Sequence, residues 1–291
     1  MNKFIFPATI KSDNNGYKCF IELYQLTKEM IFDELILDFN KTSWFDANLL
    51  AILGSILNKV QSGLNDIQIT NLKPHVSKVF SKNHFLSNFG GEKIEDYYGT
   101  TIKYKRFKSS EEKLFKVYLD NELLSKKALP KMTSALRKKI NESIFEIFNN
   151  TIIHGNSKDI FSCGQYYPSD MRLDFTIVDL GKTIKGNVSR YLQKKFSGSE
   201  AIEWAIEEGN TTKTGDTPGG LGLSLIRSFL ELNGGKIQIL SADGYWYQRK
   251  DKSKSLVFDQ RFDGTIVNLE FNINDQNEYC LASELKPEEI F

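Results

Sequence analysis

The spacing of apolar residues changes character along the chain, and each change predicts an element. Residues 34–39 (ELILDF) form a short β-type run, residues 47–60 repeat their apolar positions at helical spacing and stop before Gln61-Ser62-Gly63, and residues 66–70 (DIQIT) read as β again. Strand, helix and strand in that order make a βαβ unit, whose strands run parallel. Pro74 opens a further helix over 74–80, where its fixed φ suits a first turn, and Gly90-Gly91 closes the region.

Residues 92–110 are polar and tyrosine-rich without helical period, so the domain boundary is expected there. It divides the chain into residues 1–105, residues 106–275 and a tail at 276–291. In the second unit the pattern predicts a strand at 114–119, then a long helix over 130–154 that begins beside Pro130 and stops at Gly155. Strands follow at 160–166 and 172–178, then a helix over 222–232 ended by Gly234-Gly235, and strands at 236–240 and 264–271 (GTIVNLEF). This order, with antiparallel neighbours, predicts an α/β fold in which a βαβ domain precedes a two-layer α/β sandwich.

Composition narrows the class of partner. A chain of 291 residues is the size of two domains, and its 38 basic residues nearly cancel its 37 acidic ones. No global field therefore favours nucleic acid or an anionic membrane. The longest apolar run, residues 49–57, falls far short of the ~20 residues a spanning helix needs, and the first ten residues are neither a signal peptide nor an anchor. Cys19, Cys163 and Cys280 lack metal-ligand spacing and read as reduced structural thiols. The expected location is the cytoplasm.

Three segments of the second unit carry chemistry. Glu146 and Asn150 stand four apart on the long helix, so at about 100° per residue they point within about 40° of each other and can share a site. A solvated polar face has the same pattern. The strand LDFTIVDLG delivers Asp179 and Gly181 at its end, where a carboxylate can accept a hydrogen bond from an exocyclic amine and a glycine lets a planar ring approach the backbone. A plain polar turn is the alternative. In PGGLGLSLI, the backbone N–H groups of Gly219, Gly220, Leu221 and Gly222 stand where a loop enters a helix and can cradle phosphate.

Taken in order, these segments resemble the GHKL (Bergerat-fold) family, which includes DNA gyrase, MutL, sensor histidine kinases and the anti-sigma-factor serine kinases. EIFNNTIIHG is similar to the N box, closest to the anti-sigma kinase form; VDLGKTI is similar to the first glycine box, GGLGLSLI to the second and GTIVNLEF to the last strand. The resemblance spans roughly residues 107–274 and implies ATP and magnesium as cofactors. It implies Glu146 as general base, Asn150 as the magnesium ligand and Asp179 as acceptor for the adenine amine. Gly181 would keep the adenine pocket open, Gly219, Gly220, Leu221 and Gly222 would contact phosphates, and Thr265 would support adenine recognition. Residues 182–218 would be the ATP lid. Two glycines of the family pattern are replaced, by Thr183 and Pro218, and His154 reads as a structural histidine at the helix end.

The first unit resembles a STAS domain, the fold of anti-sigma-factor antagonists, across LILDFNKTSWFDANLLAILGSILNKV and IQITNLKPHVSKVFSKNHFLSNFG. In that family a serine after the loop aspartate is phosphorylated. Here the loop reads Asp46-Ala47-Asn48, without a hydroxyl, and upstream Thr42 and Ser43 read as loop-backbone residues. The resemblance implies a docking or sensing module, a regulatory protein partner resembling a sigma factor or antagonist, and a possible homodimer. Two functions stay open: a magnesium-dependent ATPase or serine/threonine protein kinase, or a non-catalytic ATP-gated switch.

Overall fold

The computed structural model describes residues 2–212 and 221–285 of the chain. The first unit contains β1 (Asn2–Ile5), β2 (Thr9–Ile10), α1 (Asn14–Thr27), β3 (Glu34–Asp38), β4 (Trp44–Phe45), α2 (Leu50–Ser62), β5 (Asp66–Thr70) and α3 (Pro74–Lys82). The strands β1, β3 and β5 form a parallel sheet in that order, as the βαβ reading requires. Helix α1 is absent from the sequence expectation, yet its start is a standard cap: Asp13 Oδ1 accepts from the amides of Asn15 and Gly16 at 3.0 and 2.9 Å. Helix α2 is buried continuously from Leu50 to Leu57, because it has sheet on two sides.

The second unit runs β6 (Thr101–Lys108), α4 (Glu112–Tyr118), β7 (Lys131–Met132), α5 (Ser134–Ile153), β8 (Asp159–Tyr167), β9 (Arg172–Asp179), α6 (Ile184–Tyr191) and α7 (Gly198–Ile206). It continues with α8 (Leu221–Asn233), β10 (Lys236–Arg249), β11 (Lys252–Asn272) and β12 (Glu278–Tyr279). An antiparallel sheet in the order β10-β11-β9-β8-β6 is its backbone. Strand alternation splits each central strand between two cores. On β9, Leu173, Phe175 and Ile177 pack with α5 and α8, while Val178 joins the core of the first unit.

One expectation is corrected, and the structure adds detail to three others. Residues 114–119 are helical, because Phe115, Tyr118 and Leu119 are buried at i, i+3 and i+4 while Leu114 (47% exposed) and Val117 (54%) face solvent. The boundary at 105 falls inside β6, the edge strand of the large sheet. Its alternation is broken by a register shift between Ile102 and Lys105, so that Ile102 and Tyr104 enter different cores. The tail is anchored, since β12 pairs in parallel with β7. The sandwich has a third layer: the sheet face opposite α5 and α8 is covered by α1 and α2 of the first unit. Among the described residues no helix is long and apolar enough to cross a membrane.

The contact between units is polar at its centre. Asn48 Nδ2 lies within hydrogen-bond distance of Ser12 Oγ (2.9 Å), Thr176 Oγ1 on β9 (3.0 Å) and Asn268 Oδ1 on β11 (3.1 Å), three acceptors for its two N–H groups. Buried Asp46 accepts from the Ser12 amide at 2.9 Å and from Arg172 of β9 at 3.0 Å. Thr42 Oγ1 and Ser43 Oγ donate to the carbonyls of Pro7 and Ala8, holding the loop backbone.

Candidate functional site

A cavity of about 150 Å³ opens on the helical face of the large sheet, where the end of α5 meets the end of β9 and the adjoining part of β11. Space of that order accepts a ring the size of benzene. Its walls include Ile177, Ile239 and Val267 from the sheet and Val188 and Ile206 from α6 and α7. Asn150, Asp179 and Thr265 reach the same cavity from three different elements.

Asp179 is completely buried at the end of β9. Its Oδ1 accepts the Gly181 amide at 2.8 Å, the one hydrogen bond made to this side chain among the described residues. Burial pushes its pKa from 3.8 up to about 7, against the opposing effect of that amide. A carboxyl group poised near neutrality in a cavity is a common mark of a functional site.

Glycines cage this carboxyl group. A Cβ on Gly181 would stand 2.2 Å from the Gly155 carbonyl oxygen and 2.9 Å from Asp179 Oδ1. A Cβ on Gly264, whose φ is +155°, would stand 2.0 Å from the Asp179 carbonyl oxygen. Gly181 thus lets the loop after β9 pass against the end of α5, where the Lys182 amide donates to the Gly155 carbonyl at 2.6 Å. It lies behind the cavity wall, not on it.

The other candidates separate by position. Among the described residues the Asn150 carboxamide has no hydrogen-bond partner, although its carbonyl accepts from the amides of His154 and Gly155 as the helix ends. Glu146 is half-buried one turn earlier on α5 and is not part of the cavity lining. Thr265 Oγ1 lies 3.1 Å from Ser241 Oγ, which donates to the Gly264 carbonyl. Gly219 and Gly220 lie outside the described residues, as does Pro218; Leu221 and Gly222 are the first two residues of α8.

The expected lid is largely helical in its described part. Thr183, standing where the family pattern has glycine, caps α6 by accepting the Gly186 amide at 3.1 Å, and α7 begins with a capping box formed by Ser197 and Glu200. Residues 210–212 then line the cavity and are tied back to α5, with Thr212 Oγ1 3.0 Å from His154 Nδ1. Asn187 Nδ2 donates to the His154 carbonyl at 2.8 Å. His154 therefore lines the cavity and joins α5 to residues 210–212. Gly155 and Gly264 were visible in the sequence only as a helix stop and a strand start.

No family model matches this chain, and a search of curated proteins returns no match. Function must therefore be argued from the chemistry of the site. Apolar walls offer stacking surface, Asp179 offers an acceptor for an N–H donor, and Asn150 offers an uncommitted amide oxygen. Among the described residues no group of three His, Cys, Asp or Glu side chains converges to hold a metal ion.

Proposed function

We propose that the cavity binds an adenine nucleotide with magnesium, as the nucleotide site of a GHKL-type ATPase or serine/threonine protein kinase fused to an N-terminal STAS-like unit. The observation that carries this reading is Asp179: a fully buried carboxyl group at the wall of a ring-sized cavity, with one oxygen engaged by the Gly181 amide. Keeping such a group out of water opposes folding, and a ligand N–H donor would relieve that cost.

In this reading the base sits between Ile177, Ile239 and Val267, and its amine donates to Asp179. The ordered motifs in the sequence support placing the phosphates toward the start of α8, whose backbone N–H groups favour anions. Magnesium supplies charge neutralisation on the phosphate oxygens. It takes one or two protein ligands when phosphates complete its shell, which fits a lone uncommitted Asn150 and the absence of an acidic cluster among the described residues. Glu146 would orient or deprotonate the attacking water or hydroxyl. Its position outside the cavity lining favours keeping a second reading, in which ATP stabilises one arrangement of the lid without turnover.

Titration calorimetry with magnesium-ATP tests the site: micromolar binding is expected, and no heat with the wild-type chain would remove the proposal. Turnover by wild type and by Glu146→Gln separates the two readings. A general base contributes about 10²–10⁴ in rate and little to ground-state binding, so the catalytic reading expects retained affinity and lost hydrolysis or transfer. A wild type that binds ATP without turnover supports the switch.

A further inference from the structure

A second cavity, of about 320 Å³, lies on the other side of the molecule, between the loop leading into α2, the face of α3 and the turn joining β8 to β9. Trp44, Phe45, Val76, Val79 and Tyr167 give it apolar walls. Its aromatic wall is held in place before any ligand arrives. Trp44 Nε1 donates to Asp46 Oδ1 at 2.8 Å, and the same oxygen accepts from Arg172 Nη2 at 3.0 Å. The Arg172 guanidinium lies 4.1 Å from the Tyr167 ring centroid, and Tyr167 Oη accepts the Ala47 amide at 2.6 Å. His75 Nε2 donates to the Ser43 carbonyl at 2.7 Å, closing α3 against the loop.

Rigid aromatic side chains supply contact area at low entropic cost. Trp44 remains 42% exposed although its ring N–H is locked, so its apolar surface is unspent. Behind the wall the one Arg172 guanidinium is shared by Asp46 and Asp174, which leaves an excess of negative charge, and the titratable side chains on the cavity itself are His75, Asp170 and the two tyrosines Tyr166 and Tyr167. We propose that this cavity, formed between the two units, binds a small aromatic molecule without negative charge against Trp44 and Tyr167. The proposal stands independently of the nucleotide reading, because the two cavities share no residue.

The three tryptophans make the test selective. Trp44 lines this cavity, Trp204 lines the nucleotide cavity and Trp246 is buried in the helical core. In protein labelled with 5-fluorotryptophan, indole should move the Trp44 fluorine resonance along a saturable curve, with a dissociation constant on the order of 1 mM for a ligand of this size. Trp246 should stay fixed. Cyclohexanol and benzoate should bind at least about tenfold more weakly than indole, the first lacking a π-face and the second carrying an unpaired charge. Val79→Phe, which fills the cavity, should abolish the saturation while leaving the melting temperature within a few degrees of wild type. A Trp44 resonance that stays fixed, drifts linearly with indole, or responds equally to cyclohexanol overturns the proposal. So does a response confined to Trp204. The wild-type titration decides the matter even if Val79→Phe does not fold.

Discussion

Replacing Asp179 by asparagine should raise stability and lower nucleotide affinity, and both effects follow from one buried carboxyl group. The pKa rises from 3.8 to about 7 through burial, a difference of about three units, which at about 1.4 kcal/mol per unit is about 4 kcal/mol. Below about pH 4 the group is protonated in both folded and unfolded chains and has no effect. Between about pH 4 and 7 the unfolded chain ionises while the folded chain keeps its proton, so stability falls by about 1.4 kcal/mol per pH unit; above pH 7 the full loss is present. A carboxamide at this position does not titrate. The stability difference between variant and wild type should therefore be small at pH 4.5 and grow to as much as about 4 kcal/mol at pH 8, with every other titrating group cancelling. Urea midpoints at pH 4.5, 6 and 8 measure it. For the nucleotide the sign reverses: a carboxamide keeps one acceptor oxygen and turns the other into an NH2 donor, so the ligand amine loses a charged acceptor, and loss of a hydrogen bond to a charged group costs about 1.5–3 kcal/mol, or about 10–150-fold in affinity. A pH-independent stability difference would show that Asp179 does not hold a raised pKa, and unchanged affinity by calorimetry would refute its role in recognising the base.

Gly264→Ala should destabilise by about 1–3 kcal/mol, because its Cβ would stand 2.0 Å from the Asp179 carbonyl oxygen; a thermal melt checks it, and a neutral result would contradict the packing of β11 on the end of β9. Asn48→Ala removes two N–H donors shared among three buried acceptors and should also lower stability by about 1–3 kcal/mol, read from urea midpoints. Asn48→Ser restores a hydroxyl at the STAS-like position but leaves it sealed against β9 and β11, so peptide mapping after incubation with labelled ATP should find residues 42–55 unlabelled in both variant and wild type. Stoichiometric label there would overturn the docked arrangement.

The parallel strands β3 and β5, the long helix α5 and the central strand β9 were legible because each declares one period over its whole length. Asp179 was legible for a related reason: it is the first charged residue after an apolar strand whose exit a glycine marks. The helix at 112–118 was not, since LFKVYL satisfies a strand and a helix until the exposure of Leu114 and Val117 decides between them. Strand β6 hid behind its register shift, which moves Tyr104 to the opposite face from Ile102 and erases alternation. The segments α6 and α7 were read only as part of a lid implied by the family resemblance, although their caps, Thr183 and Ser197 with Glu200, carry ordinary helix-start signals. Gly155 and Gly264 belong to the Asp179 cage through contacts between distant segments, which no local pattern encodes.

The third layer shows in the burial along β9, which a two-layer arrangement leaves unexplained. In β9 every residue from Leu173 to Asp179 is buried, including Asp174 and Thr176, whereas a sheet with one wet face alternates. Of those two polar residues Thr176 finds a partner in each unit, its Oγ1 accepting from Asn48 and donating to Asn268 Oδ1 at 2.7 Å, while Asp174 pairs with Arg172 of its own strand, which also holds Asp46. The loop that in the STAS resemblance would carry a phosphoacceptor is thus occupied in binding the chain's own sheet. Asn48 fits that task better than serine would, because a carboxamide supplies two N–H donors where a hydroxyl supplies one. The same strand carries Ile177 and Asp179 on its opposite face, into the first cavity. Any displacement of β9 that the cavity favours must be accommodated by bonds to Asn48 and Asp46, so the missing hydroxyl and the buried polar contact are two consequences of one arrangement, in which the N-terminal unit is fixed to the strand that carries Asp179.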